Sequence, residues 1–327
     1  MIKAVALISG GIDSILACKL ILKQGIEVEG INFITLFSDN NSSIISSLEN
    51  SLGIKINIFE VSKDFLDIVK HPKYGYGSGV NPCLDCRIFM LKKAKKFMQE
   101  IGASFLITGE VLGERPFSQR KDCFKIVERE VGLEGLILRP LSAKFLEPTL
   151  VERKGWVNRE ELFSIKGRSR KPQLKLAELI GIKDFLQPAG GCLLTDPCFS
   201  KRMRDLMKYK PEFSLNDIEL LKLGRHFRFS PEAKLIVGRN KLENDKLLEL
   251  AQKRDFIFKP EQVKGPIALG REDFDKDIIF LASQIVAYYC DKKEGPILIS
   301  IQIFLEGKEE LISVFPASKD TIDKLRI

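Results

Sequence analysis

The chain has 327 residues, 44% of them apolar, and a formal net charge of +8. That length suggests two domains, or three, with a sizeable core; no stretch approaches the roughly 20 apolar residues of a membrane span. The basic balance favours a polyanionic partner without identifying one, and Met1-Ile2-Lys3 runs into a strand with no signal-peptide pattern, so a cytoplasmic protein is expected.

The apolar run Ala4-Val5-Ala6-Leu7-Ile8 predicts a first strand, and the periodic stretch Ile15 to Leu22 predicts a helix opening at Ser14. Between them lies Ser9-Gly10-Gly11-Ile12-Asp13-Ser14. Two glycines let the backbone approach an anion closely, the serines add donors, and the helix turns its free N–H groups and positive dipole end toward the turn. Phosphate is the natural guest. The loop lacks both the Gly-Lys-Ser/Thr ending of a Walker A loop and the spacing of a dinucleotide fingerprint.

Glu27 to Phe33 then predicts a strand, Ser42 to Leu52 a helix, Lys55 to Val61 a strand and Lys63 to Lys70 a short helix, an alternation that points to a parallel sheet covered on both faces. Residues 74–79, with glycine at 75, 77 and 79, read as a mobile loop and a candidate lid. Helix resumes from Leu84 to Gln99, and Ser104 to Thr108 is the next strand. Ligands of such sheets bind at the carboxyl ends of the strands. That makes Asn32, Phe33, Gly109 and Glu110 candidates beside the glycine turn. From Arg139 to about 183 the pattern is helical with a basic insertion, Lys166-Gly167-Arg168-Ser169-Arg170-Lys171, which reads either as a solvated loop or as a contact to a nucleic-acid backbone.

Composition changes near residue 205, and 208–212 resembles a linker. A helix from Leu215 to Leu223, strands around 235–237, 256–258 and 297–304, and helices at 241–251 and 274–289 describe a separate α+β unit.

Seven cysteines, an odd number spread along the chain, argue against a disulfide framework and for metal or redox chemistry. Cys18 and Cys290 sit in apolar stretches and read as core residues. Cys123 and Cys198 have no partner at a diagnostic spacing. In Asn81-Pro82-Cys83-Leu84-Asp85-Cys86, a Cys-x-x-Cys at a helix start lies near the positive end of the dipole, which suits nucleophilic attack or metal ligation. Cys192 follows two glycines in Gly190-Gly191-Cys192. With only two histidines, neither at a finger spacing, structural zinc is disfavoured. Three thiolates can hold three irons of a four-iron cluster, or two thiols can act directly, one carrying a persulfide and the other resolving it.

These motifs carry a resemblance. Ser9 to Ser14 resembles the PP-loop of ATP pyrophosphatases, which cleave ATP between the α and β phosphates and adenylate a carbonyl oxygen. Ser9 to Ser14, Pro82 to Cys86, Thr108 to Gly113, Ser118-Gln119 and Gly190-Gly191-Cys192 occur in the order expected of PP-loop tRNA thiouridine synthases. Thr108 to Gln119 is similar to the 4-thiouridine synthetases, and the two cysteine elements are similar to the bacterial 2-thiouridylases. The resemblance spans about residues 1 to 200. It implies a Rossmann-like sheet of the adenine nucleotide alpha hydrolase type, with ATP and Mg²⁺ as cofactors. It also implies ATP contacts from Ser9, Gly10, Gly11, Asp13, Ser14, Asn32, Phe33, Gly109 and Glu110. Asp13 would support adenylation, Cys86 and Cys192 would be the reactive pair, and Cys83 would complete a [4Fe-4S] ligand set in the cluster-dependent branch.

The PP-loop at residue 9 leaves no N-terminal tRNA-binding extension, so tRNA is expected to be gripped elsewhere. Residues 234–240, 243–245 and 254–258 resemble the RNA-binding domain of the NFACT family, over roughly residues 224 to 327. Arg239, Asn240, Asn244 and Lys264 are candidate RNA contacts, the competing reading being turn and capping residues. Lys166, Arg168 and Arg170 join them as RNA candidates. The expected organisation is a PP-loop sulfurtransferase domain at 1–205, a linker at 206–213 and an RNA-binding domain at 214–327. The expected activity is ATP-dependent thiolation of tRNA, with partners limited to tRNA and a sulfur donor (a desulfurase, a carrier protein or free sulfide) and no DNA or membrane. The alternatives are an amidating PP-loop enzyme and a non-catalytic nucleotide-binding RNA-associated factor.

Overall fold

The computed structural model describes residues 2–38, 42–182, 185, 192–291, 295–307 and 309–327. These divide into two compact units, Met1–Asp196 and Pro197–Ile327.

In the first unit, β1 (Lys3–Leu7), α1 (Ile12–Leu22), β2 (Glu27–Ile34), α2 (Ser42–Leu52), β3 (Ile56–Glu60), α3 (Ser62–Lys70), α4 (Cys83–Glu100), β4 (Phe105–Ile107), α5 (Lys121–Val131) and β5 (Ile137–Leu138) build a five-stranded sheet. Its order is β3-β2-β1-β4-β5 and every pairing is parallel. Alternation along β1 explains the layers. Ala4 and Ala6 face a core with Ile15, Leu16 and Leu48 from α1 and α2. Val5 and Leu7 face the opposite core with Leu84, Leu91, Phe97 and Val127 from α4 and α5. The order reverses between β2 and β4 on either side of β1, so the carboxyl end of β1 is the topological switch point.

Several expectations shift. The glycine turn is shorter than expected, because α1 begins at Ile12 and takes Asp13 and Ser14 into its first turn. Residues 74–79 are irregular but tied down: the Asp85 carboxylate accepts from the N–H groups of Lys73 and Tyr74 at 3.0 Å each, and the Tyr76 hydroxyl donates to the Val69 carbonyl at 2.6 Å. The expected mobile lid is therefore a braced loop. Residues 139–182 contain only two short helices, α6 (Leu150–Arg153) and α7 (Lys171–Ile180), with single 3₁₀ turns between loops. Charge and glycine in this stretch interrupt the helical period.

The second unit holds α8 (Pro197–Tyr209), α9 (Leu215–Leu221), β6 (Arg225–Ser230), β7 (Ala233–Val237), α10 (Lys241–Glu249), β8 (Phe256–Pro260), β9 (Ala268–Glu272), α11 (Lys276–Tyr288), β10 (Ile297–Ile303), β11 (Glu309–Val314) and α12 (Lys319–Leu325). Its antiparallel sheet has the order β11-β10-β8-β9-β7-β6. Leu235, Val237 and Phe258 face α11, whereas Ile236, Ile257 and Leu269 face Leu220 of α9 and Leu247 of α10. The division between units falls ahead of α8, and the first residues of the expected linker are helical through Tyr209.

Candidate nucleotide and thiol site

Gly11 caps α1 with extended backbone (φ −76°, ψ 152°), and no side chain caps the helix, so its first N–H groups are offered to the turn. Gly10 lies at φ +82°, the left-handed region that favours glycine. Ser14 Oγ donates to the Gly11 carbonyl at 2.8 Å and accepts from the Ser9 N–H at 3.2 Å, closing the loop on itself. Gly109, just past β4, presses on the same helix start: a Cβ there would meet the carbonyl carbon of Asp13 and the nitrogen of Ser14 at 2.5 Å each. Only glycine allows the two strand ends to converge so closely.

The remaining candidates at the strand ends serve the frame. Asn32 is buried and its Nδ2 donates to the Ile8 carbonyl at 2.7 Å, holding the end of β2 to that of β1. Phe33 packs its ring on Phe59 with centroids 5.9 Å apart. Glu110, 2% exposed, meets Arg87 Nε and Arg139 Nε at 3.0 Å each. Burial opposes its ionisation, yet the charges of Arg87 and Arg139 outweigh that and hold the carboxyl below the usual range. Arg139 also pairs with Glu128 at 2.5 Å and lies over the Phe124 ring. The side chains of Asn32, Phe33 and Glu110 are thus engaged in packing and ion pairing at the ends of β2 and β4.

A second set of residues surrounds Asp13. Gly113 lies at φ +80° beside Gly167, whose N–H donates to the Leu112 carbonyl at 2.7 Å, and Leu112 forms a parallel bridge with Lys166. Buried Ser142 fastens both segments, accepting from the Leu112 N–H at 2.9 Å and donating to the Ile165 carbonyl at 2.7 Å. The Gln119 side chain accepts from the Arg115 N–H at 3.0 Å, which fixes the loop that carries Arg115. These ties bring Arg170 to within 3.7 Å of Glu114. Burial raises the Asp13 carboxyl, while Gln173, Arg170 and Arg115 pull it back down. Burial and then the Asp13 charge raise Glu114, again against Arg115 and Arg170. Arg170, expected at RNA, therefore faces the PP-loop carboxylate. Lys166 instead covers the Phe145 ring at 4.4 Å, and Arg168 is exposed.

Cys83, Cys86 and Cys192 are each half-buried. Burial pushes Cys86 up to about 12, with further upward push from Cys192 and Cys83, opposed by Arg87 and Arg115. Burial pushes Cys192 up to about 11; the Leu194 backbone and Arg115 oppose it and Cys83 adds to it. Cys83 Sγ accepts from Asn81 Nδ2 at 3.0 Å, and the same side chain's Oδ1 accepts from the Gly79 N–H at 3.0 Å. The segment carrying Cys192 is anchored by Leu193 N–H to the Phe37 carbonyl at 2.9 Å and by Val80 N–H to the Leu194 carbonyl at 3.1 Å. Gly190 and Gly191 lie outside the described residues. Among the described residues no group of three or more His, Cys, Asp and Glu side chains is arranged to hold a metal ion as they stand. All seven cysteines are free; Cys18, Cys123 and Cys290 are buried and Cys198 is exposed.

Sequence reasoning missed Arg115, Gln173 and Arg87. Arg115 lies beside Glu114 on the loop that Gln119 ties down. The signal available was the charge one residue beyond Glu114 in a loop already matched as a motif.

In the second unit the candidate RNA contacts are largely structural. Arg239 is paired with Glu243 through its backbone N–H at 2.8 Å and its guanidinium. Asn240 caps α10 by accepting from the Glu243 N–H at 3.0 Å. Asn244 accepts from the Ile267 N–H at 3.2 Å. These three side chains make local turn and cap contacts, and Lys264 is exposed. Among the described residues no helix is long and apolar enough to cross a membrane.

Comparison with known proteins follows this division. Residues 2–144 match the family described as thiamine biosynthesis protein (ThiI), and residues 224–326 match the NFACT protein RNA binding domain. A probable tRNA sulfurtransferase of Ureaplasma urealyticum is 30% identical over 148 residues, which is 42% of this chain and 36% of the relative. The tRNA-specific 2-thiouridylase MnmA of Sulfurimonas denitrificans is 32% identical over 113 residues, 32% of this chain and 33% of the relative. The chain thus spans about a third of the length of these curated relatives. Among solved structures, a 4-thiouridine synthetase in complex with RNA and ATP overlaps 55% of this chain and 53% of its own at 21% identity, with a TM-score of 0.37, an overlap too slight to argue from. The chain therefore resembles, in order, a PP-loop tRNA sulfurtransferase of the ThiI type and an NFACT-type RNA-binding domain.

Proposed function

We propose that this chain uses ATP to replace a uridine carbonyl oxygen of tRNA with sulfur. The observation that supports this reading best is the match of residues 2–144 to the ThiI family, a stretch that holds both the turn of Asp13 and the thiols of Cys83 and Cys86. Activation and sulfur delivery would then occur in one pocket. A uridine oxygen is a poor leaving group, so it first attacks the α-phosphorus of ATP; the α–β bond breaks and pyrophosphate leaves. Sulfur then attacks the ring carbon, and AMP departs with the oxygen.

The Ser9 to Ser14 turn, at the uncapped start of α1, would hold the phosphates. Asp13 Oδ1 is buried without a hydrogen-bond partner and would hold a Mg²⁺ ion, which would neutralise phosphate charge. Three thiols, those of Cys83, Cys86 and Cys192, would be the ligands of a [4Fe-4S] cluster, although as they stand they do not surround a common metal position. Such a cluster supplies an open iron that binds sulfide. The match over 224–326 supports tRNA binding by the second unit.

Mass spectrometry of tRNA nucleosides from a strain lacking the gene tests the activity. A thiolated nucleoside should disappear and return with the wild-type gene. An unchanged profile counts against tRNA thiolation. Anaerobically reconstituted protein should contain iron and sulfide and be brown; full activity without iron would leave the persulfide route.

A further inference from the structure

In the second unit Arg228, Arg239 and Arg271 each meet a carboxylate, whereas Arg225 has no ion pair among the described residues. Its guanidinium lies over the Tyr289 ring at 4.4 Å, and its Nη1 makes one long bond to the Gly238 carbonyl at 3.3 Å. Tyr289 caps the end of α11 and stands edge-on to Tyr288, with ring centroids 5.0 Å apart; both are half-buried. Alternation along β6 puts Arg225 on the face of Phe227, whose ring centroid is 6.2 Å from that of Tyr289. Arg326 forms an antiparallel bridge with Phe227, and the Ile327 N–H donates to the His226 carbonyl at 3.0 Å, so exposed Arg326 lines the same edge. Exposed Lys201 donates from Nζ to the Arg326 carbonyl at 3.3 Å. The carbonyl of exposed Lys264 accepts at 3.0 Å from the N–H of Asp291, two residues beyond Tyr289.

We infer that this edge of the second unit binds unpaired RNA nucleotides, with a base stacked on the cluster of Arg225, Tyr288 and Tyr289 and phosphates held by Arg326, Lys201 and Lys264. This rests on the reading that the chain binds tRNA through its second unit, and deepens it by naming the class of RNA taken there: single strands. Aromatic rings and guanidinium planes accept the face of any base. A base inside an A-form helix is already stacked on both faces and offers only its edges, so the cluster selects a base that has left the helix. Arg225 suits the task because no carboxylate holds its donors or cancels its charge, and because the Tyr289 ring fixes its plane. The surroundings are basic: Lys201, Arg225, Lys264 and Arg326 stand against exposed Asp291 and Asp323. Arg239, Asn240 and Asn244, by contrast, are occupied by the turn and cap of α10.

Fluorescence anisotropy of the full chain with a labelled single-stranded oligouridylate, with a blunt RNA duplex of equal length and with tRNA tests the assignment. The wild-type chain should bind the single strand more tightly than the duplex, although the duplex carries the denser charge. Arg225→Gln and Tyr288→Ala should each weaken oligouridylate binding roughly ten-fold, within the loss expected for one stacked base. Tyr288→Ala should leave the salt dependence of binding unchanged, whereas Arg326→Gln should lower its logarithmic slope by about 0.7, one phosphate contact to a single strand. Lys276→Gln, which removes an exposed charge at the opposite end of α11, should keep affinity within about two-fold. Duplex bound as tightly as the single strand overturns this inference and leaves tRNA binding standing; this arm needs no variant, so it decides even where a substitution unfolds the domain. An Arg225→Gln chain with the wild-type unfolding midpoint and wild-type oligouridylate affinity also overturns it. A wild-type chain that binds no tRNA overturns both readings.

Discussion

The two units treat buried charge in opposite ways. In the second unit it is closed on itself: Arg271 meets Asp217 at 3.1 Å and Asp255 at 2.7 Å, Arg228 meets Asp205 at 2.7 Å, and Glu243 receives Arg239. His226 is the exception, neutral because burial holds it well below its usual range, with Nδ1 unpartnered. At the carboxyl edge of the first unit's sheet, charge is left open: Asp13 Oδ1 and the Gln173 amide lack partners, and Asp13 and Glu114 are both raised toward neutrality. Closed networks specify a fold, whereas open ones at a helix start await a ligand. Within the first unit Glu110, Arg87, Arg139 and Glu128 are ion-paired, although Glu110 Oε1 and Arg139 Nη2 make no hydrogen bond, and the cluster braces the residue next to Cys86.

Substitutions should separate these two kinds of charge. The largest effect is expected at the open site: Asp13→Asn and Cys192→Ser should each reduce thiolation by at least about a hundred-fold, read as thiolated nucleoside per turnover, with little change in unfolding midpoint. Gly109→Ala should follow, since its methyl would press on the backbone of Asp13 and Ser14; ATP binding should fall and stability should drop by about 1–3 kcal/mol, measured by titration and urea unfolding. At the closed sites the order inverts. Arg271→Met should cost about 3–5 kcal/mol in urea unfolding by leaving buried Asp255 without its cation and Asp217 with Lys210 alone, yet leave ATP affinity intact.

Glu110 adds a pH signature. Its folded carboxyl lies below the ordinary range, so its ion pairs contribute stability fully above the unfolded value near ~4.3 and lose it as pH falls through the depressed folded value. Glu110→Gln should flatten the acid limb of the stability curve below about pH 4.3. The smallest effects belong to the surface of the second unit. Lys264→Gln should weaken tRNA binding by about two-fold without altering stability, while Arg239→Gln should cost about 0.5–1 kcal/mol of stability, the scale of a half-exposed pair, and spare tRNA affinity.

What the amino acids disclosed ahead of the structure depended on whether the signal was local. The strands β1 to β4 were legible because buried parallel strands are apolar throughout, and α2 begins and ends at the expected residues. The two-residue β5 and the charged strands β6 and β11 carry too little periodic signal to be seen. The glycine turn and the three cysteines announced themselves by residue type. Glu110 and Arg170 did not: the first is claimed by arginines from two other elements, and the second is carried to Asp13 by a loop tied through Gly113, Gly167 and Ser142. Such roles belong to long-range packing, which neighbouring residues do not encode.

The most direct test of the central claim is a single-turnover reaction of the full chain with ATP, sulfide and unmodified tRNA under anaerobic conditions, counting AMP, pyrophosphate and thiolated nucleoside together. The account predicts equal amounts of all three, with the nucleoside lost in Cys86→Ser and Cys192→Ser while ATP binding persists. Thiolated tRNA formed at the wild-type rate by both cysteine variants, or pyrophosphate released with no sulfur entering the tRNA, would contradict it.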